Sequence, residues 1–483
     1  TLAPDRSRAD PRARPFAGGP SRPTGRGRTL APECRARHLH AMPEQTRVIP
    51  KRAVASWVLY DLANTIFSMG VVSLYFSLYV GDEVGAQRVD STYGVITSIS
   101  MGIIFVISPL LGAMTDRAPR RMPFLVWTTV LCCACTALIA RGSYVTSAVL
   151  FVVGNAAYQA GLQFYDSLLP EVTTEANRGR ISGIGVGVGY LGSYVAVGIG
   201  LLLGTKDKPL LFAIIAVTFL VFSIPCFIWV KERGNPNPRP IFGMTMLRES
   251  TAQTLRTLRE GHKYPGLLRF LFGRIFYTDA INTVISYMSL YAINVAMANG
   301  GTKEAGEHTA QLVMLSAISF AVVGGFAWGW LVDKIGPKRT LNIVLWLWIE
   351  TFALAMAIGF LRLPAGWLYL VAAQAGVAMG GVWAADRPYM LRLTPPDRIG
   401  EFYGLYGMVG RFSAVTGPLL WSIIMFATVQ RGGLPELTGQ AFALASLLLM
   451  VVVSYRILRP VTDAPRDWDT LRIAVVPIRG IGP

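Results

Sequence analysis

The chain has 483 residues, of which 52% are hydrophobic and only 15% are charged. A soluble globular protein carries about 25% charged residues, so this composition excludes an ordinary soluble protein and indicates a membrane protein. The formal net charge of +17 does not indicate a nucleic-acid-binding protein, because the basic residues recur between apolar runs instead of covering one domain. The five cysteines and four histidines do not include two CxxC motifs that could bind a metal together. We therefore expect no metal site and no cofactor.

Residues 1–51 are rich in Arg, Pro and Gly and contain almost no large apolar residues. This composition predicts a disordered basic N-terminal tail. Met42 precedes a short polar stretch and then the first apolar run, so a translation start at Met42 is a hypothesis that the intact mass of the native protein would test. The first apolar run is too long for the hydrophobic part of a signal peptide and lacks a small-residue cleavage pattern.

Twelve apolar runs of about 20 residues follow, a length that crosses about 30 Å of hydrocarbon. The predicted spans 1 to 12 are residues 53–80, 93–114, 122–140, 145–166, 181–203, 210–230, 267–297, 310–332, 340–361, 366–392, 401–428 and 437–458. The predicted organisation is an N-terminal six-helix bundle at 52–230, a basic central loop at 231–266, a C-terminal six-helix bundle at 267–458 and a tail at 459–483.

Basic residues are distributed unequally between the loops, and this predicts the orientation. The connections between spans 2 and 3, 4 and 5, 8 and 9, and 10 and 11 contain Arg117, Arg120, Arg121, Arg178, Arg180, Lys334, Lys338, Arg339 and Arg398. The central loop and the C-terminal tail are also basic. Cytoplasmic loops are enriched in Lys and Arg, so we expect a multi-pass protein of the cytoplasmic (inner) membrane with both termini cytoplasmic.

Two features repeat between the halves of the sequence. "GAMTDRAPRR" follows span 2 and "GWLVDKIGPKR" follows span 8, which places Asp116 and Asp333 217 positions apart. Span 1 contains Asp61-x-x-Asn64 and span 7 contains Asp279-x-x-Asn282, at an offset of 218 positions. Two six-helix repeats related by an axis along the membrane normal, with a site near the midplane between them, are typical of secondary transporters.

These loop motifs resemble the signature of the major facilitator superfamily. The matching positions are Gly112, Asp116, Arg117, Arg120 and Arg121 in the first copy and Gly329, Asp333, Lys334 and Gly336 in the second. Pro119 and Pro337 depart from the usual pattern. The segments "ASWVLYDLANTIF", "LRFLFGRIFYTDAINTVI" and "LRLTPPDRIGEFYGLYGMVGRFSAVTGPLL" resemble, more narrowly, the branch that contains the autophagy-related vacuolar amino-acid effluxers and their bacterial relatives.

The resemblance covers residues 52–458. It implies an all-α membrane protein in which twelve transmembrane helices form two pseudo-symmetric six-helix bundles. It also implies a secondary active transporter that works by alternating access, with amino-acid efflux as the favoured activity, and not an enzyme. The expected partners are a small-molecule substrate, the lipid bilayer and coupling protons; we expect no nucleic acid, and a monomer.

In this superfamily spans 1, 4, 7 and 10 line the central cavity. Asp61 and Asn64 share one face of span 1, and Asp279 and Asn282 repeat that face in span 7. The carboxylates are candidates for binding an ammonium group or a coupling proton, with the amides fixing the orientation of the substrate. The alternative interpretation is that each Asp caps or bridges neighbouring helices near the cytoplasmic gate.

Further polar residues on spans 4 and 10 have two interpretations each. Gln159, Gln163 and Asp166 recur at helical spacing on span 4, where they contribute either to a polar cavity wall or to helix packing. Asp386 stands next to Arg387 near the cytoplasmic end of span 10, where it forms either a local ion pair or a substrate contact.

Arg411 lies close to mid-membrane in span 11 and cannot lose its proton. A buried guanidinium needs a carboxylate, so we predict that Arg411 pairs with Asp279 or with Asp61. A salt bridge that breaks when substrate or a proton arrives is a hypothesis for the coupling switch.

Asp116 and Asp333 follow spans 2 and 8 on the side where spans 11 and 5 begin. A carboxylate near a helix N-terminus is favoured by about 0.3–1 kcal/mol. The resemblance implies a latch that closes the cytoplasmic side. The predicted gating residues are Asp116, Arg117, Arg121, Arg180, Asp333 and Lys334.

Three other functions each correspond to a feature of the sequence. A G-x-G-x-x-G match at Gly187–Gly192 lies inside span 5 without a preceding strand, so it predicts close helix packing and not a dinucleotide site. A carrier of lysolipids or amphiphilic drugs is the alternative within the transporter class. A membrane sensor that keeps the fold without transport is the alternative from another class, with the basic central loop as its signalling surface.

Overall fold

The computed structural model describes residues 49–464 with gaps. The gaps are residues 86–87, 205, 236–237, 242–247, 250–251, 253–255, 258 and 260–263. The predicted N-terminal tail up to residue 48, parts of the central loop and the C-terminal tail after residue 464 lie outside the described residues. All regular secondary structure in the described ranges is helical.

Twelve long helical segments occur in the described part of the chain, and their numbers match those of the predicted spans. They are α1 (Lys51–Val84), α2 (Val89–Arg117), α3 (Met122–Leu138), α4 (Tyr144–Ser167), α5 (Arg178–Leu203), α6 (Lys208–Trp229), α7 (Leu267–Ala298), α8 (Lys303–Ile335), α9 (Pro337–Leu361), α10 (Trp367–Leu393), α11 (Ile399–Met425) and α12 (Glu436–Leu458). Eleven of these are long and apolar enough to cross a membrane; α3 is shorter, with 17 residues. The largest difference from the predicted limits is at α8, which begins at Lys303 because the Thr302 side chain accepts a hydrogen bond from the Ala305 N–H.

The helices form two pseudo-symmetric six-helix bundles, and this confirms the predicted fold class. In the first bundle α1 packs on α5 and α6, α3 packs on α4 and α6, and α2 packs on α4. In the second bundle α7 packs on α11 and α12, α9 packs on α10 and α12, and α8 packs on α10. Each contact in one bundle therefore has its counterpart six helices later.

The boundary between the bundles is formed chiefly by α2 against α11 and by α5 against α8. At Gly183 of α5, an added Cβ would lie 2.4 Å from the Gly325 carbonyl oxygen and 2.5 Å from the Gly329 Cα. At Gly112 of α2, it would lie 2.3 Å from the Gly400 carbonyl oxygen. The two bundles thus meet backbone to backbone, which only glycine permits at such distances.

Candidate functional site

Arg387 of α10 binds two carboxylates of the opposite bundle. Its Nη1 donates to Asp61 Oδ2 at 3.0 Å, and its Nη2 lies 3.4 Å from Asp61 Oδ1 on α1. Its Nε lies 2.9 Å from Asp166 Oδ1 on α4. The two groups form an ion pair, but their angle does not meet the geometry of a hydrogen bond. The three side chains are nearly buried, with exposed fractions of 11%, 9% and 9%. This cluster holds the two bundles together through charge.

Aromatic rings and a close helix contact position the Asp61 carboxylate. Trp57, one turn before Asp61, stacks on Tyr165 with ring centroids 4.6 Å apart. The Arg387 guanidinium lies 5.9 and 5.6 Å from these two ring centroids, within the range of cation–π attraction. A Cβ at Gly185 of α5 would lie 3.0 Å from Asp61 Oδ2. The absence of a side chain there lets α5 approach Asp61, as the small-residue pattern of span 5 predicts.

Asp386 belongs to a separate network inside the second bundle. It accepts hydrogen bonds from Arg274 Nε at 2.8 Å, from the Tyr277 hydroxyl at 2.5 Å and from the Tyr406 hydroxyl at 2.7 Å. The Arg274 guanidinium also stacks on the Tyr406 ring at 3.6 Å. Asp386 is fully buried, so its carboxylate is enclosed by these three partners.

Of the two interpretations of Asp386, the local ion pair with Arg387 is therefore wrong. Successive residues on an α-helix project about 100° apart, so Asp386 faces α7 and α11 while Arg387 faces the first bundle. The enclosure of Asp386 also argues against its predicted contact with substrate.

Arg411 has no carboxylate partner among the ion pairs of the described residues. Its Nη2 donates to the Gln159 carbonyl oxygen of α4 at 2.6 Å, and its Nη1 donates to Ser108 Oγ of α2 at 3.3 Å. The prediction that Arg411 pairs with Asp279 or Asp61 is wrong. Arg411 projects from α11 towards the first bundle, so its charge stands opposite neutral acceptors.

Gln163 holds Ser108, the residue whose hydroxyl accepts a hydrogen bond from Arg411. Its Oε1 accepts from Ser108 Oγ at 2.6 Å, and its Nε2 donates to the Ser108 carbonyl oxygen at 3.1 Å. Gln163 is buried, with 4% of its surface exposed. These contacts join α4 to α2, which is the helix-packing alternative for this residue.

Asp279 and the two candidate asparagines occupy different environments. Asp279 accepts hydrogen bonds from the Gly417 N–H at 2.6 Å and from the Thr416 hydroxyl, both on α11. Asn282 is partly buried.

Asn64 is 3% exposed, and within the described residues neither its amide nitrogen nor its amide oxygen has a hydrogen-bond partner. A buried amide without partners costs about 1–3 kcal/mol, so Asn64 is available to a polar ligand one turn from Asp61.

Two local charge imbalances face each other at the boundary of the bundles. Two carboxylates, Asp61 and Asp166, share the single guanidinium of Arg387, which leaves one negative charge in excess. Arg411 carries a positive charge that no carboxylate pairs with in the part of the chain that the structure describes. Its acceptor, Gln159, precedes Asp166 by two turns on the same face of α4, roughly 10 Å along the helix axis. The centre therefore presents a net negative locus and a net positive locus.

Asp116 caps a helix of the opposite bundle. Its two carboxylate oxygens accept hydrogen bonds from the Gly400 N–H and the Glu401 N–H, each at 2.7 Å. These groups lie in the first turn of α11, whose own preceding residue, Arg398, provides no side-chain cap. Asp116, from the first bundle, thus satisfies N–H groups at the start of α11 that the residue before α11 leaves without a side-chain acceptor.

Asp333 makes the equivalent contact at α5. Its oxygens accept hydrogen bonds from the Gly179 N–H at 2.7 Å and the Arg180 N–H at 3.0 Å. Asn177, which precedes α5, provides no side-chain cap to that helix. Both carboxylates lie where the sequence predicts them, at the starts of α11 and α5, whereas their gating role stays a prediction.

The other predicted gating residues lie at the same end of the helices and have different partners. Arg121 Nη2 lies 3.6 Å from Asp116 Oδ1. Arg117 pairs with Glu249 of the central loop at 3.0 Å. Lys334 Nζ lies 3.7 Å above a tryptophan ring of its own helix. Of these three residues, Arg121 is the one that reinforces an inter-bundle cap.

Arg274 was not singled out from the sequence. Asp166 was predicted only as cavity wall or helix packing, and Arg387 only as the neighbour of Asp386, so the joining of Asp61 and Asp166 by Arg387 was not predicted. Each of Arg274, Asp166 and Arg387 is a charged residue within or at the end of an apolar run, which is a signal for a functional or paired position in a membrane helix.

The fold and the buried charges at the bundle boundary define a membrane transporter of the major facilitator type. Solved structures of that type superpose on most of the chain. The human organic anion transporter MFSD10 (TETRAN) gives a TM-score of 0.63 at 15% identity, covering 86% of this chain and 100% of that protein. The proton:xylose symporter XylE gives a TM-score of 0.62 at 15% identity, covering 88% and 98%.

Within this class, the chain belongs to the "Vacuole effluxer Atg22 like" family, whose model matches residues 79–462. It is 25% identical over 424 residues to the uncharacterized MFS-type transporter YxiO of Bacillus subtilis, covering 83% of this chain and 93% of that protein. It is 26% identical to Autophagy-related protein 22 of Coccidioides immitis, covering 63% of this chain and 52% of the fungal protein. The predicted family is thereby confirmed, and the chain is a multi-pass membrane transporter.

Proposed function

We propose that this protein exports amino acids by alternating access, coupled to protons, across a cell membrane in which both termini are cytoplasmic. The observation that carries the proposal is the pair of opposite charge imbalances at the bundle boundary. A zwitterionic amino acid has an ammonium group for the Asp61–Asp166 locus and a carboxylate for Arg411. Asn64, with its unpaired amide, supplies further hydrogen bonds beside Asp61.

Coupling to protons follows from the same excess charge. A buried carboxylate that lacks a full counter-charge is costly, so a proton or a substrate ammonium must compensate it. In this proposal the substrate and the proton bind in turn to the Asp61–Asp166 carboxylates. The ammonium group of the substrate binds there during export, and a proton binds there during the return step.

The Asp61–Arg387 ion pair links this exchange to the movement of the bundles. Its two ends belong to different bundles, so any opening between α1 and α10 must separate them. Neutralising Asp61 or Asp166 weakens the hold on Arg387 and favours that opening.

In this proposal the caps at Asp116 and Asp333 indicate which conformational state of the transport cycle the structure represents. Both lie at the end of the helices that carries the basic loops, which the positive-inside rule assigns to the cytoplasm. With both caps formed, that end is closed and the transporter faces outward. Opening to the cytoplasm requires the loss of four backbone hydrogen bonds.

The test is flux in proteoliposomes reconstituted with purified protein. We expect efflux of a labelled amino acid from preloaded vesicles, driven by an inward proton gradient and lost in Asp61→Asn and in Arg411→Gln. Glu307→Gln, which removes an exposed carboxylate paired with Lys303, is the matched control and keeps wild-type flux. Flux of lysolipids or drug-like cations in place of amino acids would replace the substrate assignment. Binding without flux of any solute would favour the sensor.

Binding measured before flux separates these outcomes. A ligand at a hundredfold excess over its Kd stabilises the folded protein by about 2.7 kcal/mol. Panels of amino acids, sugars and lysolipids should therefore raise the melting temperature only for the transported class. Loss of this shift in Arg411→Gln for amino acids, but not for their decarboxylated amines, assigns the carboxylate contact to Arg411.

A further inference from the structure

A groove of about 680 Å³ lies between the first turns of α1 and α5, and the residues that line it do not include those of the central charge clusters. One wall runs from Lys51 to Leu59, about 12 Å along α1, and the other runs from Arg180 to Ile184 on α5. The groove is therefore a separate feature from the site of the proposed function, and it opens at the end of the helices that carries the basic loops.

Most of the groove is apolar. Its walls are lined by Val54, Val58, Leu59, Ile181 and Ile184. These side chains belong to helices that are long and apolar enough to cross a membrane. An apolar groove in this position accommodates an acyl chain without exposing polar backbone, because the backbone of both helices is hydrogen-bonded internally.

The mouth of the groove is positively charged. Lys51 and Arg180 line it, and both side chains are exposed. Two carboxylates lie near Arg180. Glu175 is engaged by Arg392, with its Oε1 3.8 Å from Arg392 Nε, and Asp333 accepts hydrogen bonds from the Gly179 and Arg180 N–H groups. The mouth thus presents two cations at the level where a helix leaves the hydrocarbon, which is where lipid phosphates lie.

We infer that this groove binds an anionic phospholipid of the cytoplasmic leaflet. Lys51 and Arg180 bind the phosphate and headgroup, and the apolar walls of α1 and α5 hold one acyl chain. Charge complementarity at the mouth favours an anionic lipid over a zwitterionic one, since basic pockets between membrane helices select such headgroups.

The experiment counts lipids bound to the delipidated full chain by native mass spectrometry. Phosphatidylglycerol and phosphatidylethanolamine with the same acyl chains are titrated separately. We expect tighter binding of phosphatidylglycerol. Each basic residue near an anionic headgroup changes affinity about fivefold, so the double variant Lys51→Ala/Arg180→Ala should bind it about 30-fold more weakly. Equal affinity for the two lipids, or an unchanged double variant, overturns the proposal.

Two controls exclude general effects of charge. Arg120→Ala/Arg339→Ala removes two exposed basic residues at the same end outside the groove, and it should retain wild-type affinity. If the Arg180 variant does not fold, Lys51→Ala alone should show about a fivefold loss.

Two further arms identify the occupant. Inorganic phosphate that displaces phosphatidylglycerol at equal concentration would assign the site to free phosphate and overturn the lipid assignment. Higher lipid affinity in a chain that begins at Met42 would show that the preceding segment occupies the groove, which also overturns it. Because every readout is binding, these outcomes do not depend on whether the protein transports amino acids.

Discussion

Arg387 and Asp61 form a two-contact ion pair across the boundary of the two bundles, with Nη1–Oδ2 and Nη2–Oδ1 distances of 3.0 and 3.4 Å. Asp166 approaches the same guanidinium from a third helix. The pair is buried, so its rupture requires a new counter-charge or entry of water. This relationship places a buried inter-bundle ion pair beside the candidate substrate site.

The two members of this ion pair should differ in their effect on stability. Arg387→Met leaves Asp61 and Asp166 as two buried carboxylates without a cation, and we expect the free energy of unfolding to fall by about 3–5 kcal/mol. Asp61→Asn should cost less, because Arg387 keeps Asp166. Denaturant unfolding in mixed micelles, followed by helicity, measures both changes. Arg339→Met, at an exposed position, is the control; equal losses in Arg387→Met and Asp61→Asn would contradict the arrangement.

The Arg274–Asp386 network should act as a unit within the second bundle. Asp386→Asn and Arg274→Met each leave a buried charge unpaired, so each should lower the free energy of unfolding by about 3–5 kcal/mol. The double variant should lose less than the sum, with a coupling of about 0.5–3 kcal/mol. The exposed Lys303–Glu307 pair is the matched control, with an expected coupling of about 0.3–0.5 kcal/mol. Additive losses would show that the two side chains do not depend on each other.

The inter-bundle caps should bias the closed arrangement. Asp116→Ala and Asp333→Ala each remove a cap worth about 0.5–2 kcal/mol, so each should raise the population that is open at the capped end. A cysteine at Ser182, which is fully buried on α5, should then react faster with a soluble thiol reagent, whereas one at Gly198 near the other end should not. Asp116→Asn is expected to act in the same direction. Unchanged reactivity at both positions would rule out a latch, and Glu307→Ala is the control.

Two glycines on α5 offer a matched test of the close approach between the bundles. An Ala at position 183 places its Cβ 2.4 Å from the Gly325 oxygen, whereas an added Cβ at Gly198 meets nothing within 4 Å. Gly183→Ala should therefore separate the bundles and lower both the melting temperature and flux. Gly198→Ala should be neutral or stabilising by up to about 1 kcal/mol, because Ala favours the helix. Similar melting temperatures for the two variants would mean that α5 and α8 are not in backbone contact.

The helices, their order and the positions of the two caps were accessible from local sequence. A run of about 20 apolar residues must satisfy its backbone hydrogen bonds within itself, so it becomes a helix wherever it lies. Asp116 and Asp333 follow their helices directly, in a motif that repeats in the chain. Their placement at α11 and α5 follows once the two halves are related by symmetry, which the Asp-x-x-Asn motifs at 61–64 and 279–282 also indicate.

Pairing of the buried charges was decided by the tertiary structure alone. The sequence identified Arg411 as an unbalanced cation but assigned it to Asp61 or Asp279. For Asp386 it offered a pair with Arg387 or a substrate contact, and not the pair with Arg274 that forms. Which partner a charge meets depends on the rotation and axial offset of each helix, and these are set by packing at glycines such as Gly183 and Gly185. The apolar runs thus predict the twelve long helices of the described residues, and the repeated motifs predict their division into two bundles. Only the packed bundles bring Arg387 to Asp61 across 326 positions of sequence, because the register between helices has no local signal.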